Sequence, residues 1–129
     1  MRIALLLLAH ALCVSCTTRV LTYNLWTPII GSENATQRLQ LFVNTTREYD
    51  VLLMQEVFNV HVFDNVVAGH ASWLRTQLED RGFSHFIMPY GSNNIIQMQD
   101  DGLMVASRLP MANVDRILYK NSLLVRYIT

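Results

Sequence analysis

The sequence predicts a layered α/β fold whose sheet is partly antiparallel. Three observations lead there. Two short strand-like runs, at residues 20–25 and 51–54, are bounded by polar residues and separated by a stretch with helical spacing. A second helix-like stretch follows at residues 64–81. Several extended segments then succeed one another without helices between them, an order that suits a mixed sheet with covering helices.

The first sixteen residues stand apart. Met1-Arg2 is a short positive start, residues 3–12 are apolar apart from His10, and Val14-Ser15-Cys16 supplies small residues before a cleavage point. This is the pattern of a secretory signal peptide. A lipoprotein leader acylated at Cys16 and a buried first element are the alternatives. We therefore expect a leader over residues 1–16, one domain over residues 17–129, a secreted, extracellular product, and no integral membrane segment once the leader is removed. Asn34-Ala35-Thr36 and Asn44-Thr45-Thr46 are acceptor triplets, so Asn34 and Asn44 are expected glycosylation sites. Both cysteines, Cys13 and Cys16, lie in the leader, which leaves the domain no disulfide and no thiolate metal site. The formal net charge is zero, with no basic stripe, and this argues against a nucleic-acid binder.

Each element has its own signal. Residues 20–25 combine β-branched and aromatic residues into a strand that ends near Pro28. Pro28 and Gly31 punctuate a loop over residues 27–32. Asn34 and Gln37 have the spacing of a capping box, a role that competes with glycosylation of Asn34. Leu39, Phe42, Val43 and Thr46 then share a helix face that ends near Glu48 or Tyr49. Asp50-Val51-Leu52-Leu53-Met54-Gln55-Glu56 reads as a strand buried on both faces, because four apolar residues run without a break. Over residues 64–81, Val67, Ala71, Leu74 and Leu78 recur at helical spacing beside Trp73, with Gly82 as the stop. Residues 83–88 resume an extended pattern and residues 89–94 form a polar loop. Asp100 and Asp101 are candidates for a second carboxylate pair, but in a turn they read as a solvated start to the strand at residues 103–106, and extended segments continue at residues 112–119 and 123–128. The chain stops inside that last segment, from which a truncated domain is expected.

Glu56 has no comfortable place along an apolar strand, but at its carboxyl end it would face a crevice where ligands bind in α/β folds. Asn24 stands near the carboxyl end of the first strand, 32 residues earlier, about the length of a strand-helix-strand crossover. If the two strands are neighbours, an amide oxygen and a carboxylate converge. Such hard donors suit Mg²⁺, with Mn²⁺ or Ca²⁺ as alternatives.

Three blocks in this order resemble the endonuclease/exonuclease/phosphatase superfamily of metal-dependent phosphodiesterases. They are Val20-Leu21-Thr22-Tyr23-Asn24-Leu25-Trp26, the block from Asp50 to Glu56, and Asp101-Gly102-Leu103-Met104-Val105-Ala106-Ser107-Arg108-Leu109-Pro110-Met111. The resemblance implies the first half of a four-layer α/β sandwich with mixed sheets. It also implies an active-site Asn24, a Mg²⁺ ligand at Glu56, and a structural Ser-Arg-x-Pro turn. Glu56-Val57-Phe58 is most similar to secreted neutral sphingomyelinases, which would make the partner a phospholipid head group at a membrane surface. Secreted deoxyribonucleases usually carry arginine where this chain has Phe58, and they carry disulfides. A deoxyribonuclease-like enzyme is the alternative, with inositol-phosphate phosphatases behind it. The family's phosphate-binding histidine, aspartate-x-asparagine pair and late aspartate-histidine pair match nothing here. His61, His70 and His85 sit in no family motif; His70 and His85 read as ordinary half-buried histidines, and His61 as a residue near the site mouth. Trp26 and Phe58 suit either a membrane-facing rim or the core. The expectation is thus an N-terminal fragment of a phosphodiesterase, inactive alone, or else an inactive binding protein.

Overall fold

A computed structural model describes residues 17–28, 33–62, 65–90, 100–115 and 117. The leader, much of the 89–94 loop and the 123–128 segment lie outside the described residues. Among those described, no helix is long and apolar enough to cross a membrane.

The architecture is mixed α/β. In chain order the elements are β1 (Val20–Asn24), α1 (Ala35–Thr45) with a 3₁₀ turn at Thr46–Glu48, β2 (Val51–Gln55), β3 (Asn59–Val62), β4 (Asn65–Gly69), α2 (Ala71–Glu79), β5 (His85–Ile87) and β6 (Met104–Ser107). The principal sheet has the order β1-β2-β6-β5, and β3 and β4 form a separate hairpin. β1 and β2 are parallel, with Asn24 opposite Gln55, whereas β6 runs antiparallel to both β2 and β5. The crossover through α1 makes the parallel pair possible, because parallel neighbours cannot be joined by a tight turn.

Both helices contribute to one core. Leu39, Phe42 and Val43 of α1 and Ala71, Leu74 and Leu78 of α2 cluster with Leu52, Met54, Met104 and Ala106 of the sheet. Tyr23 stacks on Phe42 with ring centroids 5.6 Å apart, which ties the edge strand to α1. Burial in β2 alternates: Leu52 and Met54 are buried, while Leu53 is 39% exposed. The expectation of a strand buried on both faces is therefore corrected. An apolar run says that a strand can be covered twice, and here the described residues cover it once.

Three other expectations change. Residues 65–69 are strand, not the start of α2, because Asn65, Val66, Ala68 and Gly69 pair with residues 59–62 in a hairpin whose register passes over Val67. Gly69 then turns the chain at φ 135, and a Cβ there would lie 2.5 Å from Asn59 Oδ1. Asn34 does not close a capping box: it sits in the left-handed region at φ 57 without a side-chain cap. Residues 112–115 and 117 form no strand, and Val114 and Ile117 are exposed. Other expectations hold. The α1 face is as read, Thr46 included, and Gly82 at φ 84 ends the α2 turn with its N–H on the Glu79 carbonyl.

The Ser107-Arg108-Leu109-Pro110 turn is a structural fastening. Ser107 Oγ donates to the Leu109 carbonyl at 2.8 Å and accepts the Leu109 N–H at 3.0 Å. The Arg108 guanidinium donates to the carbonyls of Tyr49 and Arg81 and lies 4.3 Å over the Phe83 ring. One cation thus joins the start of β2, the end of α2 and the approach to β5.

Candidate functional site

The carboxyl ends of β1 and β2 bring together the two residues singled out by spacing. Because the strands are parallel and in register, Asn24 and Glu56 leave the sheet at the same edge. Asn24 Nδ2 donates to Glu56 Oε1 at 2.8 Å. The pairing differs in one respect from the expected convergence of amide oxygen and carboxylate. The Trp26 N–H donates to Asn24 Oδ1 at 2.9 Å. A backbone N–H can only donate, so the amide oxygen faces Trp26 and the amide nitrogen faces Glu56. Asn24 therefore orients the carboxylate, and Glu56 supplies the oxygen donors.

Both segments turn sharply here. Trp26 has φ 49 and Glu56 φ 58, left-handed conformations that cost a non-glycine residue energy and that gather at functional sites. The backbones flanking them are bonded to each other: the Leu25 N–H donates to the Gln55 carbonyl and the Thr27 N–H to the Glu56 carbonyl, each at 2.9 Å. Thr27 Oγ1 adds a second donor to the Glu56 carbonyl at 2.6 Å. Arg38 of α1 reaches over to donate to the Trp26 and Glu33 carbonyls, which closes the loop after β1 against the helix.

The loop after Glu56 is held from the other side. The Val57 N–H donates to the Gly102 carbonyl at 2.9 Å, and the Phe58 ring lies against Gly102, where a Cβ would fall 2.5 Å from Cε1. Gly102 takes φ 65, so both its conformation and its contact require glycine. Phe58 is thus a packing residue, whereas Trp26 is 56% exposed beside the site.

Asp100 corrects the expectation of a solvated strand start, since it is only 5% exposed. Its carboxylate accepts from Asn59 Nδ2 at 2.7 Å, from the Asn59 N–H at 3.1 Å and from the Gly102 N–H at 3.2 Å. Asn59 Oδ1 in turn accepts the Ala71 N–H at the start of α2, at 3.3 Å. A carboxylate leaves water at modest cost when backbone and amide donors surround it. Asp101 is turned to the backbone as well, accepting the N–H groups of Tyr90 and Leu103, each at 3.0 Å. Neither aspartate joins Glu56 as a second carboxylate of the site.

Sequence reasoning missed Thr27, Asn59 and Arg38. Thr27 fell within a loop defined by its proline and glycine, and Asn59 follows Glu56 without a motif of its own. Arg38 is a polar residue within an amphipathic helix, a position that ordinarily means solvent. His61 lies in β3, and His70 and His85 are half-buried as expected. Asn34 and Asn44 are both exposed. The Asn44 side chain accepts from Arg81 Nη2 at 2.9 Å through its Oδ1.

Glu56 offers one carboxylate, oriented by the Asn24 amide nitrogen. Among the described residues no group of three or more histidine, cysteine, aspartate or glutamate side chains could hold a metal ion. That donor set does not fit a closed structural site. It does fit Mg²⁺, which keeps several waters and needs one or two carboxylates. Beside the pair runs a cleft of about 610 Å³ between β1 and α1, lined by Leu21, Tyr23, Trp26, Arg38 and Phe42 among others.

No protein-family model matches the chain, and no curated protein matches it significantly. Among solved structures it is similar to an endonuclease/exonuclease/phosphatase family protein from Leptotrichia buccalis C-1013-b, with 23% identity and a TM-score of 0.49. The match covers 71% of this chain and 37% of that one, so the chain spans little more than a third of the structure it resembles.

Proposed function

We propose that this chain carries the metal-ligand part of a Mg²⁺-dependent phosphodiester hydrolase of the endonuclease/exonuclease/phosphatase superfamily, of the sphingomyelin phosphodiesterase type. The observation that carries the reading is the Asn24–Glu56 hydrogen bond at the carboxyl ends of two adjacent parallel strands. It fixes a carboxylate at an exposed sheet edge, where a phosphate ester has access. Glu56 Oε1 is engaged by Asn24, and Oε2 would be the oxygen to take a cation. Bound there, Mg²⁺ would polarise a phosphoryl oxygen and steady the leaving group. Asn24 keeps the carboxylate from swinging away, and Trp26 gives the rim an exposed indole of the kind that sits at a lipid head-group layer.

The sequence holds no motif for a general base or a phosphate-binding histidine, so the 129-residue chain is proposed to bind metal without turnover. The experiment pairs Mn²⁺ binding, followed by electron paramagnetic resonance, with hydrolysis of sphingomyelin vesicles in Mg²⁺. Mn²⁺ binding that weakens at least about tenfold in Glu56→Gln supports the site. Sphingomyelin turnover that survives Glu56→Gln would overturn it. Retention on DNA but not on sphingomyelin vesicles would favour the deoxyribonuclease-like alternative. An absence of any metal binding would leave an inactive binding protein.

A further inference from the structure

We infer that Thr27 is a positioning residue for Glu56, acting through the Glu56 carbonyl and not through its carboxylate. This deepens the reading of Glu56 as a cation ligand and rests on it. Thr27 is 1% exposed, although it lies in a loop just past a strand whose own residues are largely open to solvent. Both of its donors converge on one acceptor, the N–H at 2.9 Å and Oγ1 at 2.6 Å from the Glu56 carbonyl oxygen. That oxygen belongs to a residue at φ 58, a backbone conformation that glutamate adopts only under constraint.

Turning Glu56 to an ordinary negative φ would swing its carbonyl and its Cβ together. The two Thr27 bonds oppose that rotation, and the carboxylate therefore stays where Asn24 Nδ2 meets it. The Leu25 bond to Gln55 fixes the strand end but does not reach Glu56, and the Val57 bond to Gly102 fixes the residue after it. Among the described contacts, Thr27 alone grips the glutamate's own carbonyl. Its hydroxyl also needs this acceptor, because a buried O–H without a partner is costly. A threonine at this position thus supplies both bonds, whereas a valine of the same shape keeps the N–H bond and loses the shorter hydroxyl bond.

The test compares Thr27→Val with Thr27→Ser in the full chain, using two measurements. The Asn24 side-chain amide resonances report the bond to Glu56 without any metal. Mn²⁺ affinity, read by electron paramagnetic resonance, reports the site's use. In Thr27→Val the Asn24 amide signals should move towards those of a free asparagine, and Mn²⁺ binding should weaken about tenfold, as for other outer-shell partners. Thr27→Ser should retain both, although each variant loses thermal stability. Should Thr27→Val not fold, Thr27→Ala takes its place with the same expectation. Asn24 signals and Mn²⁺ affinity unchanged in the variant without a hydroxyl would overturn the inference. Mn²⁺ binding indifferent to Glu56→Gln would overturn the metal reading instead, while the Asn24 signals would still judge the role of Thr27.

Discussion

The two ends of β2 are built on opposite principles. At its amino end, Asp50 accepts the Arg19 N–H at 2.8 Å, its own N–H returns to the Arg19 carbonyl, and its carbonyl takes the Arg108 N–H at 2.9 Å. Arg108 then adds two side-chain bonds to carbonyls and an aromatic contact. Every connection there ties segments distant in sequence to one another. At the carboxyl end two non-glycine residues sit at positive φ, an amide and a carboxylate project to an exposed edge, and a tryptophan faces solvent. The same five-residue strand is a fastening at one end and a strained presentation at the other. Stability and site geometry are thus separable in this molecule, which is what a fold needs if its site is to carry strain.

Substitutions at the two ends should separate accordingly. The largest effect is expected at the fastening. Arg108→Met keeps the stem but loses the carbonyl bonds and the contact with Phe83, and it should cost about 2–4 kcal/mol in urea unfolding. A loss under about 1 kcal/mol would mean that the amino end is held by the sheet alone. Next comes the clamp behind the site. Asp100→Asn turns an amide donor towards the donors of Asn59, at a cost of about 1–3 kcal/mol, with faster hydrogen exchange at Ala71 as its local signature. The smallest effect, and the one of opposite sign, belongs to the site. Glu56→Gly relieves the left-handed strain but frees the unfolded chain, so stability should rise by about 0.5–1 kcal/mol while Mn²⁺ binding disappears. A destabilised Glu56→Gly would erase the contrast between the ends.

Much of this arrangement was legible in the residues. The parallel neighbours β1 and β2 follow from two strand-like runs separated by one amphipathic helix, and Asn24 and Glu56 then meet by register. What escaped notice depended on partners distant in sequence. Leu53 is as apolar as Leu52, and only the position of the helices decides which of them is buried. Val67 continues the helical period of Ala71, Leu74 and Leu78, yet its neighbours Val66 and Ala68 pair with His61 and Val60 and carry it into a strand. Asp100 looks solvated until Asn59, 41 residues earlier, is seen to supply two of its donors. Asn34 has the composition of a cap but the wrong backbone conformation for one. Local pattern identified the elements; long-range hydrogen bonding decided their polar residues.

The placement of β2 also sets an order of assembly. Its parallel partner β1 is already synthesised when Gln55 emerges, so Leu21 can meet Leu52 across a loop closed by α1. Its antiparallel partner is not: Leu52 pairs with Ala106, and Arg108 reaches back to Tyr49. Until Ser107 has been made, the other edge of β2 offers unpaired N–H and carbonyl groups, a template for pairing with the wrong chain. Contacts so far apart in sequence close slowly. The interval between the synthesis of Gln55 and that of Arg108 is therefore the period in which a nascent chain most needs shielding, and the arginine that fastens the finished sheet is also the residue that ends it.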